Sequence, residues 1–345
     1  MRKTVFAILS ATLLLLTGCS PAPVHGQDAE MQRYEASFLG LFDTVTSVVG
    51  YADSQERFQE EMSLFHDQLE EYHQLYDIYH DYPGLNNLKT VNDHAGVQPV
   101  KVDGRILDLL ELCRTLYQET DGKVNAAMGS VLSLWHECRE QGIQDPENAA
   151  LPEEADLQEA MLHCDFSGVV IDREASTVYL PDPRQKLDVG AVAKGYALEQ
   201  VCRSLTLPMA ISVGGNVRIT GSRPDGAAWR IGLQDPDGGE EYLCKLEILS
   251  GSVVTSGDYQ RYYTVDGVRY HHIIDPDTGY PAKGYRAVTV VCPDSGLADG
   301  LSTALFTMTV EEGTALLESQ DAQAMWMLED GSIVYSSGFE ELIQG

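Results

Sequence analysis

The stretch DVGAVAKGYA, residues 188–197, sets an acid, a lysine and two glycines close together. Gly190 and Gly195 relax the backbone where a short strand is expected to enter a helix. Free N–H groups and the helix dipole at such a junction favour an anion, and Lys194 adds a positive charge there. Neither GxGxxG nor the P-loop pattern is present, so the Rossmann and P-loop readings do not apply. Alone, the stretch is compatible with a ligand loop or with a packing turn. In ADGLSTALF, residues 298–306, Asp299 and Thr303 stand four apart and share one helix face. An acid among small and apolar residues costs stability without a partner. A helix N-cap would explain it, and so would a hard cation such as Mg²⁺ taking carboxylate, hydroxyl and carbonyl oxygens. Residues 255–281 crowd Ser256, Asp258, Arg261, Tyr262 and His272 ahead of an Asp-Pro-Asp-Thr-Gly turn. His271 and His272 are adjacent, so in a strand they face opposite sides and only one can enter a given site. The paired glycines of ISVGGN, residues 211–216, permit close approach of a ligand or another backbone.

These residues must be held by a folded frame, and the chain has the composition for one. It has 345 residues, 43% hydrophobic and 22% charged, with a formal net charge of −30. That charge argues against nucleic acid as a partner. An anionic ligand would have to be held by backbone amides, placed lysines or a carboxylate-bound divalent cation. Residues 36–51, rich in β-branched and aromatic side chains, read as a first strand. Phe58, Met62, Phe65, Leu69, Tyr72 and Tyr76 then follow a helical period. A second helix is expected from Asp103 as cap to the stop at Asp121-Gly122, a third over residues 126–140, and a loop with a short helix over 139–163. Short strands are expected at 169–181 and 186–190, a helix at 191–205 and a strand at 208–215. Strand-like runs with a hairpin turn at 265–267 fill 216–291. A helix over 298–319 and a strand over 323–338 close the chain. Helices and strands alternate only in part, which predicts a mixed α+β architecture and not a doubly wound parallel sheet. Cys113 and Cys202 fall in helical patterns as buried apolar residues; the cysteines include no CxxC pair and define no metal site.

Together LDVGAVAKGYA, ISVGGN, TSGDYQRYY, YHHIIDPDTGYP and ADGLSTALF, in this order, resemble the FAD:protein FMN transferase family, also called the ApbE family. The resemblance runs from about Ser37 to the end. It implies an α+β fold of largely antiparallel sheets packed with helices, in two intimate subdomains around a central flavin site with a T-fold likeness, and a transferase domain over 36–345. It also implies an enzyme that binds FAD with Mg²⁺, transfers the FMN half to a threonine (or serine) hydroxyl of a partner flavoprotein, and releases AMP. Carried over by position, Asp188 and Lys194 would contact FAD. Ala191 through its carbonyl, Asp299 and Thr303 would hold Mg²⁺. His272 would orient or deprotonate the incoming hydroxyl. Ile273, Phe42, Tyr79 and the segment Asn125, Ala126, Ala127 would line the flavin and adenine pockets. Where relatives read Asp-x-Thr, this chain reads Asn125-Ala126-Ala127, which removes polar groups that would contact FAD. A glycine pair of the first motif reads Gly190-Ala191 here, a change that keeps the backbone carbonyl. Two alternatives stay open: a Mg²⁺-dependent FAD pyrophosphatase giving FMN and AMP, and a non-catalytic flavin-binding lipoprotein.

The N-terminus MRKTVFAILSATLLLLTGCS joins Arg2 and Lys3 to an apolar run ending before Cys19. The run is short of the roughly 20 apolar residues a membrane helix needs, and it matches a secretory leader. Leu16 and Gly18 ahead of Cys19 resemble a bacterial lipobox. Residues 1–18 are therefore expected to be a signal peptide, and 19–35 a lipidated cysteine and flexible tether. That arrangement would place the protein on the outer face of the cytoplasmic membrane. A palmitate analogue fed to expressing cells should label the protein, and Cys19→Ala should abolish the label; persistent labelling would refute lipidation at this cysteine.

Overall fold

The structure, a computed structural model, describes residues 30–239 and 241–344. Cys19, the leader and most of the tether lie outside the described residues. The strands are β1 (Gln32–Leu39), β2 (Val45–Ala52), β3 (Val100–Lys101), β4 (Val170–Asp172), β5 (Thr177–Tyr179), β6 (Met209–Val213), β7 (Asn216–Ile219) and β8 (Trp229–Gln234). Then come β9 (Tyr242–Ile248), β10 (Gly251–Gly257), β11 (Tyr262–Val265), β12 (Val268–His271), β13 (Tyr285–Cys292), β14 (Gln323–Leu328) and β15 (Ile333–Tyr335). The helices are α1 (Gln55–Tyr76), α2 (Leu88–Asp93), α3 (Gly104–Glu119), α4 (Gly129–Gln144), α5 (Glu154–Met161), α6 (Ala193–Cys202), α7 (Ser295–Thr307) and α8 (Val310–Leu317). From Met31 on they form one compact unit.

Eight strands build a central sheet in the order β1-β2-β6-β7-β10-β13-β14-β15. Every pairing in it is antiparallel. The mixed, largely antiparallel α+β class expected above is the one observed. Small sheets β3-β5-β4, β8-β9 and β11-β12 flank it. Local chemistry explains the clearest boundaries. Ser54 caps α1 by accepting from Arg57 N, and Phe58, Met62, Phe65 and Leu69 are buried along one face. Asp103 caps α3, and Asp121 and Gly122 end it with φ of 49° and 82°. Asp266 and Gly267, with φ of 50° and 80°, make the two-residue turn between β11 and β12.

Several expected elements divide. Residues 36–51 are not one strand: β1 and β2 form a hairpin, with Gly40, Phe42 and Asp43 at φ of 101°, 50° and 54°. Apolar Phe38 and Leu39 before the turn and β-branched residues after it read as one strand and hid the turn, which has Phe42 at its tip. Residues 298–319 split into α7 and α8, because Thr309 starts a new helix with a capping box to Glu312. Residues 323–338 are the β14–β15 hairpin, not one strand. Residues 186–190 contribute only a bridge from Lys186 to Met128. The third helix begins at Gly129, so Ala126 and Ala127 precede it.

The contact that positions the site is that of α6 on α7. Ala298, Leu301, Leu305 and Phe306 of α7 are buried at 0–1% exposure. Burial contributes roughly 1.5–3 kcal/mol for each large apolar chain, which outweighs the cost of burying Asp299 and Ser302 beside them. Glu199 of α6, 4% exposed, accepts from Ser295 N at the start of α7 and pairs with Arg218 of β7 at 2.7 Å. Gly195 lets the helices touch: a Cβ there would lie 2.2 Å from the Ser295 carbonyl oxygen and 2.6 Å from Asp299 Cβ. Gly195→Ala should therefore cost about 2 kcal/mol in urea unfolding. Gly104→Ala, whose Cβ would meet nothing within 4 Å, should be neutral or slightly stabilising. Equal stability of the two variants would contradict this account of the helix contact.

Candidate functional site

A cleft of about 1100 Å³ opens between the central sheet with α6 and α7 on one side and α4 with the β11–β12 hairpin on the other. That is at the upper end of small-molecule sites and has room for a dinucleotide. Phe42, Tyr79, Asn125, Asp188, Ala191, Lys194, His272, Ile273, Asp299 and Thr303 all line it. Ala126 and Ala127 do not; they are core residues, 4% and 0% exposed. Ala126 instead accepts a backbone hydrogen bond from Asp188 N. Asn125 lines the cleft, yet its carboxamide donates to Cys164 O and accepts from Ala127 N, so both its ends serve the backbone.

The polar floor is built by α6 and α7. Asp299 is 4% exposed and stands in the second turn of α7; the N-cap is Asp294, so capping does not account for Asp299. Its Oδ2 accepts from Gly195 N at 2.9 Å and lies 3.6 Å from Lys194 Nζ. In a regular helix the Gly195 N–H would return to the Ala191 carbonyl; donated to Asp299, it leaves that carbonyl free for another partner. Thr303 Oγ1 has only a long contact, 3.4 Å, to Asp299 O. Asp299 and Thr303 offer carboxylate and hydroxyl oxygens from one face of α7, and Ala191 lines the same cleft, so the oxygen donors present are of the kind a hard cation takes. At the turn into α6, Asp188 Oδ1 accepts from Gly190 N at 2.9 Å. Burial at the cleft bottom pushes the Asp188 carboxyl up from its ordinary value, with the Gly190 N–H, His136 and Arg261 opposing.

The two histidines divide as their alternation predicts. His271 is buried, its Nε2 bonded to Ala282 O and its Nδ1 accepting from Ile273 N, so both ring nitrogens are used structurally. His272 turns to the cleft. Its Nδ1 lies 3.2 Å from Arg261 O; a carbonyl can only accept, so Nδ1 carries the proton and Nε2 the lone pair. Burial, then the charges of Arg261 and Lys194, push its pKa down to about 3. The turn after it is fastened by Lys123 to Asp275 and Asp277 at 3.3 and 2.7 Å, and by Trp135 Nε1 to Gly279 O at 2.8 Å.

The mouth is aromatic. Phe42 packs edge-on to His73, centroids 5.5 Å apart, and Tyr79 lies against His136 at 5.2 Å. Sequence reasoning missed what presents Tyr79. Asp77, 8% exposed, accepts from the Tyr79 and His80 amides, His80 Nδ1 and the Tyr82 hydroxyl. These bonds hold its carboxyl below the ordinary range despite burial. Its signal was present, an acid followed by three aromatic or imidazole side chains, but it lay at the end of a helix pattern. His136 and Arg139 of α4, 2.9 Å apart at Nδ1 and a guanidinium nitrogen, were also missed.

An α+β frame whose cleft sets a buried acid and a lysine against a neutral imidazole and an aromatic mouth defines a protein built for a large, partly anionic, partly aromatic ligand. The chain belongs to the ApbE family, whose model matches residues 42–326. It is 34% identical over 277 residues to an FAD:protein FMN transferase of Treponema pallidum, covering 74% of this chain and 75% of that protein. A protein of the same name from Klebsiella pneumoniae is 33% identical over 275 residues, 76% of this chain and 83% of its own. Among solved structures, the ApbE protein of Thermotoga maritima superposes with a TM-score of 0.81 at 30% identity, covering 91% of this chain and all of that one. A mutant of the Vibrio cholerae flavin transferase ApbE gives 0.72 at 25% identity, again over 91% of this chain and 100% of its own.

The His272 geometry has a checkable consequence. A folded-state pKa below the unfolded one means the unfolded chain binds the extra proton, so stability falls as pH drops from about 6.5 towards 3. Nitrogen-15 NMR should find His272 as the Nδ1–H tautomer and uncharged at pH 5.5 in the ligand-free protein. An imidazolium at that pH would overturn the assignment.

Proposed function

We propose that this protein moves the FMN half of FAD onto a hydroxyl of a protein acceptor, a threonine or serine, with Mg²⁺ as cofactor. Transfer of FMN from FAD to a protein is the activity the relatives' shared name states, and membership in their family brings it to this chain. The observation that carries the finer reading is the convergence of Asp299, Lys194 and the uncharged His272 on one cleft. FAD is the substrate. Its pyrophosphate meets Lys194 and the amide-rich start of α6, which a chain of net charge −30 otherwise has little means to offer. Asp299, Thr303 and the Ala191 carbonyl would hold the cation, whose chemistry is to draw charge from phosphoryl oxygens and the departing group. His272 Nε2 takes the proton of the acceptor hydroxyl as its oxygen bonds the FMN phosphorus. The bond from that phosphorus to the AMP oxygen breaks, and AMP leaves. An alcohol is a weak nucleophile at neutral pH, and a base so placed contributes typically 10²–10⁴-fold. Phe42, Tyr79 and Ile273 would enclose the rings. We further propose that the lipid on Cys19 keeps the enzyme on the outer membrane face, beside exported acceptor flavoproteins.

The test uses the chain from about Gln27, FAD, Mg²⁺ and a purified acceptor domain, read by intact mass. The acceptor should gain FMN less water with Mg²⁺, but not with EDTA or after acceptor Thr→Val. Asp299→Ala should fold normally and lose metal-dependent transfer. His272→Ala should bind FAD yet transfer at least ~100-fold more slowly. AMP release without a mass gain would replace the transferase with an FAD pyrophosphatase, and neither product would leave a flavin binder. Normal transfer by either variant would remove the role assigned to that residue.

A further inference from the structure

Asn216 ends the ISVGGN motif and has no part in the chemistry above. It follows the Gly214–Gly215 turn, both glycines at positive φ, and opens β7 opposite Val213. It is 2% exposed, yet it lines the cleft. Its Nδ2 is buried without a hydrogen-bond partner among the described residues. A buried amide left unpaired costs roughly 1–3 kcal/mol, so a fold that keeps one there needs a reason outside its own packing.

Its position limits what the missing partner can be. Two residues along β7, Arg218 reaches Glu199 of α6, and strand alternation puts Asn216 on that same face. The face also carries Ser256, whose hydroxyl meets Ser302 of α7 at 2.8 Å. Asn216 therefore looks toward the helices that carry Lys194 and Asp299. On its other side, Gly214 sits against Thr44, beside the Phe42 turn; a Cβ on it would be 2.5 Å from Thr44 Oγ1. The residue lies between the ionic floor and the Phe42 side of the mouth. A phosphate, acceptor only, is better served by Lys194 and the α6 amides. A neutral carboxamide both donates and accepts, and a hydroxyl can answer both of its ends. In a flavin dinucleotide, neutral hydroxyls flank the pyrophosphate on each side, as ribityl in the FMN half and ribose in the AMP half.

We propose that Asn216 is a binding residue whose carboxamide hydrogen-bonds a sugar hydroxyl of the dinucleotide next to the pyrophosphate. The proposal rests on FAD being the ligand, and FAD binding by the unaltered protein checks that reading separately. The decisive variant is Asn216→Leu, of similar volume, with Asn216→Ala as a second, studied with FAD, FMN and AMP by calorimetry and by thermal unfolding without ligand. Removing an unpaired buried amide should raise the ligand-free Tm of the leucine variant, by about 2 °C. The same change should weaken FAD about 10-fold and weaken only one half-ligand: FMN if the partner is ribityl, AMP if it is ribose. The alanine variant, which leaves a cavity, should show the same affinity pattern whatever its Tm. FAD affinity within twofold of the unaltered protein would overturn the proposal. So would equal loss of FMN and AMP, loss of FAD with neither half affected, or a lower Tm for the leucine variant, each of which marks a structural role.

Discussion

The closeness of α6 to α7 is the constraint on which the site depends. With no side chain at Gly195, the α6 backbone reaches the Ser295 carbonyl and the flank of Asp299. One consequence is electrostatic: the Gly195 amide and the Lys194 ammonium bear on one carboxylate oxygen that is almost wholly out of solvent. The second is a matter of backbone accounting. An amide used across the helix interface does not close the first turn of its own helix, and the carbonyl of Ala191, a cleft-lining residue, is left without that partner. A buried carboxylate and a freed carbonyl thus arise from one packing event. Glu199 keeps it in register, because a single side chain both tops α7 and pairs with the sheet through Arg218. Buried ion pairs add little net stability, and this one fixes where three elements meet.

Where one residue type had to satisfy a local rule, the sequence was legible. The α1 stripe, the Asp103 cap, the Asp-Gly stop after α3 and the Asp266-Gly267 turn each follow from φ preference or periodicity. The separation of His271 from His272 followed from strand alternation alone. Boundaries inside continuously apolar runs were not legible. The Gly40–Asp43 turn holds Phe42 and Asp43 at positive φ, a conformation no side-chain pattern announces. Thr309 restarts a helix through its capping box with Glu312, inside a stretch whose helix-forming residues run on past the break. Of the site, the residues drawn together from distant motifs were recognisable by type. Asp77, His136 and Arg139 act on neighbours that only the fold supplies. Ala126 and Ala127 were misplaced for a related reason: a segment beside a cleft can feed its carbonyl to the wall while its side chains enter the core.

The strongly negative surface makes the interior arrangement more specific. A protein of charge −30 repels anions at long range, although screening confines that field to about 8 Å at physiological ionic strength. What admits a pyrophosphate must therefore be local. Lys194 is partly neutralised by Asp299 at 3.6 Å, so it is not itself a bare cation that any small anion could occupy. A ligand that brings its own cation would satisfy Asp299 and release Lys194 toward phosphate in the same event. On the proposed function, two opposite charges held at 3.6 Å would favour a metal–nucleotide pair over either component alone.

The paired histidines show how a base is kept neutral beside two cations. His271 spends both ring nitrogens on the loop from Ile273 to Ala282, which fixes the backbone that carries its neighbour. His272 is turned by one residue into a site where burial, Arg261 and Lys194 all oppose a positive charge. An imidazole with so low a proton affinity is a weak base. On the proposed function, phosphates set against Lys194 and Arg261 would offset both of those charges at once. Desolvation remains, but the imidazolium that would form on taking a hydroxyl proton then has negative charge nearby. On that reading His272 would accept a proton more readily with the substrate's phosphates nearby, because the cationic groups that suppress its charge are those the phosphates would neutralise.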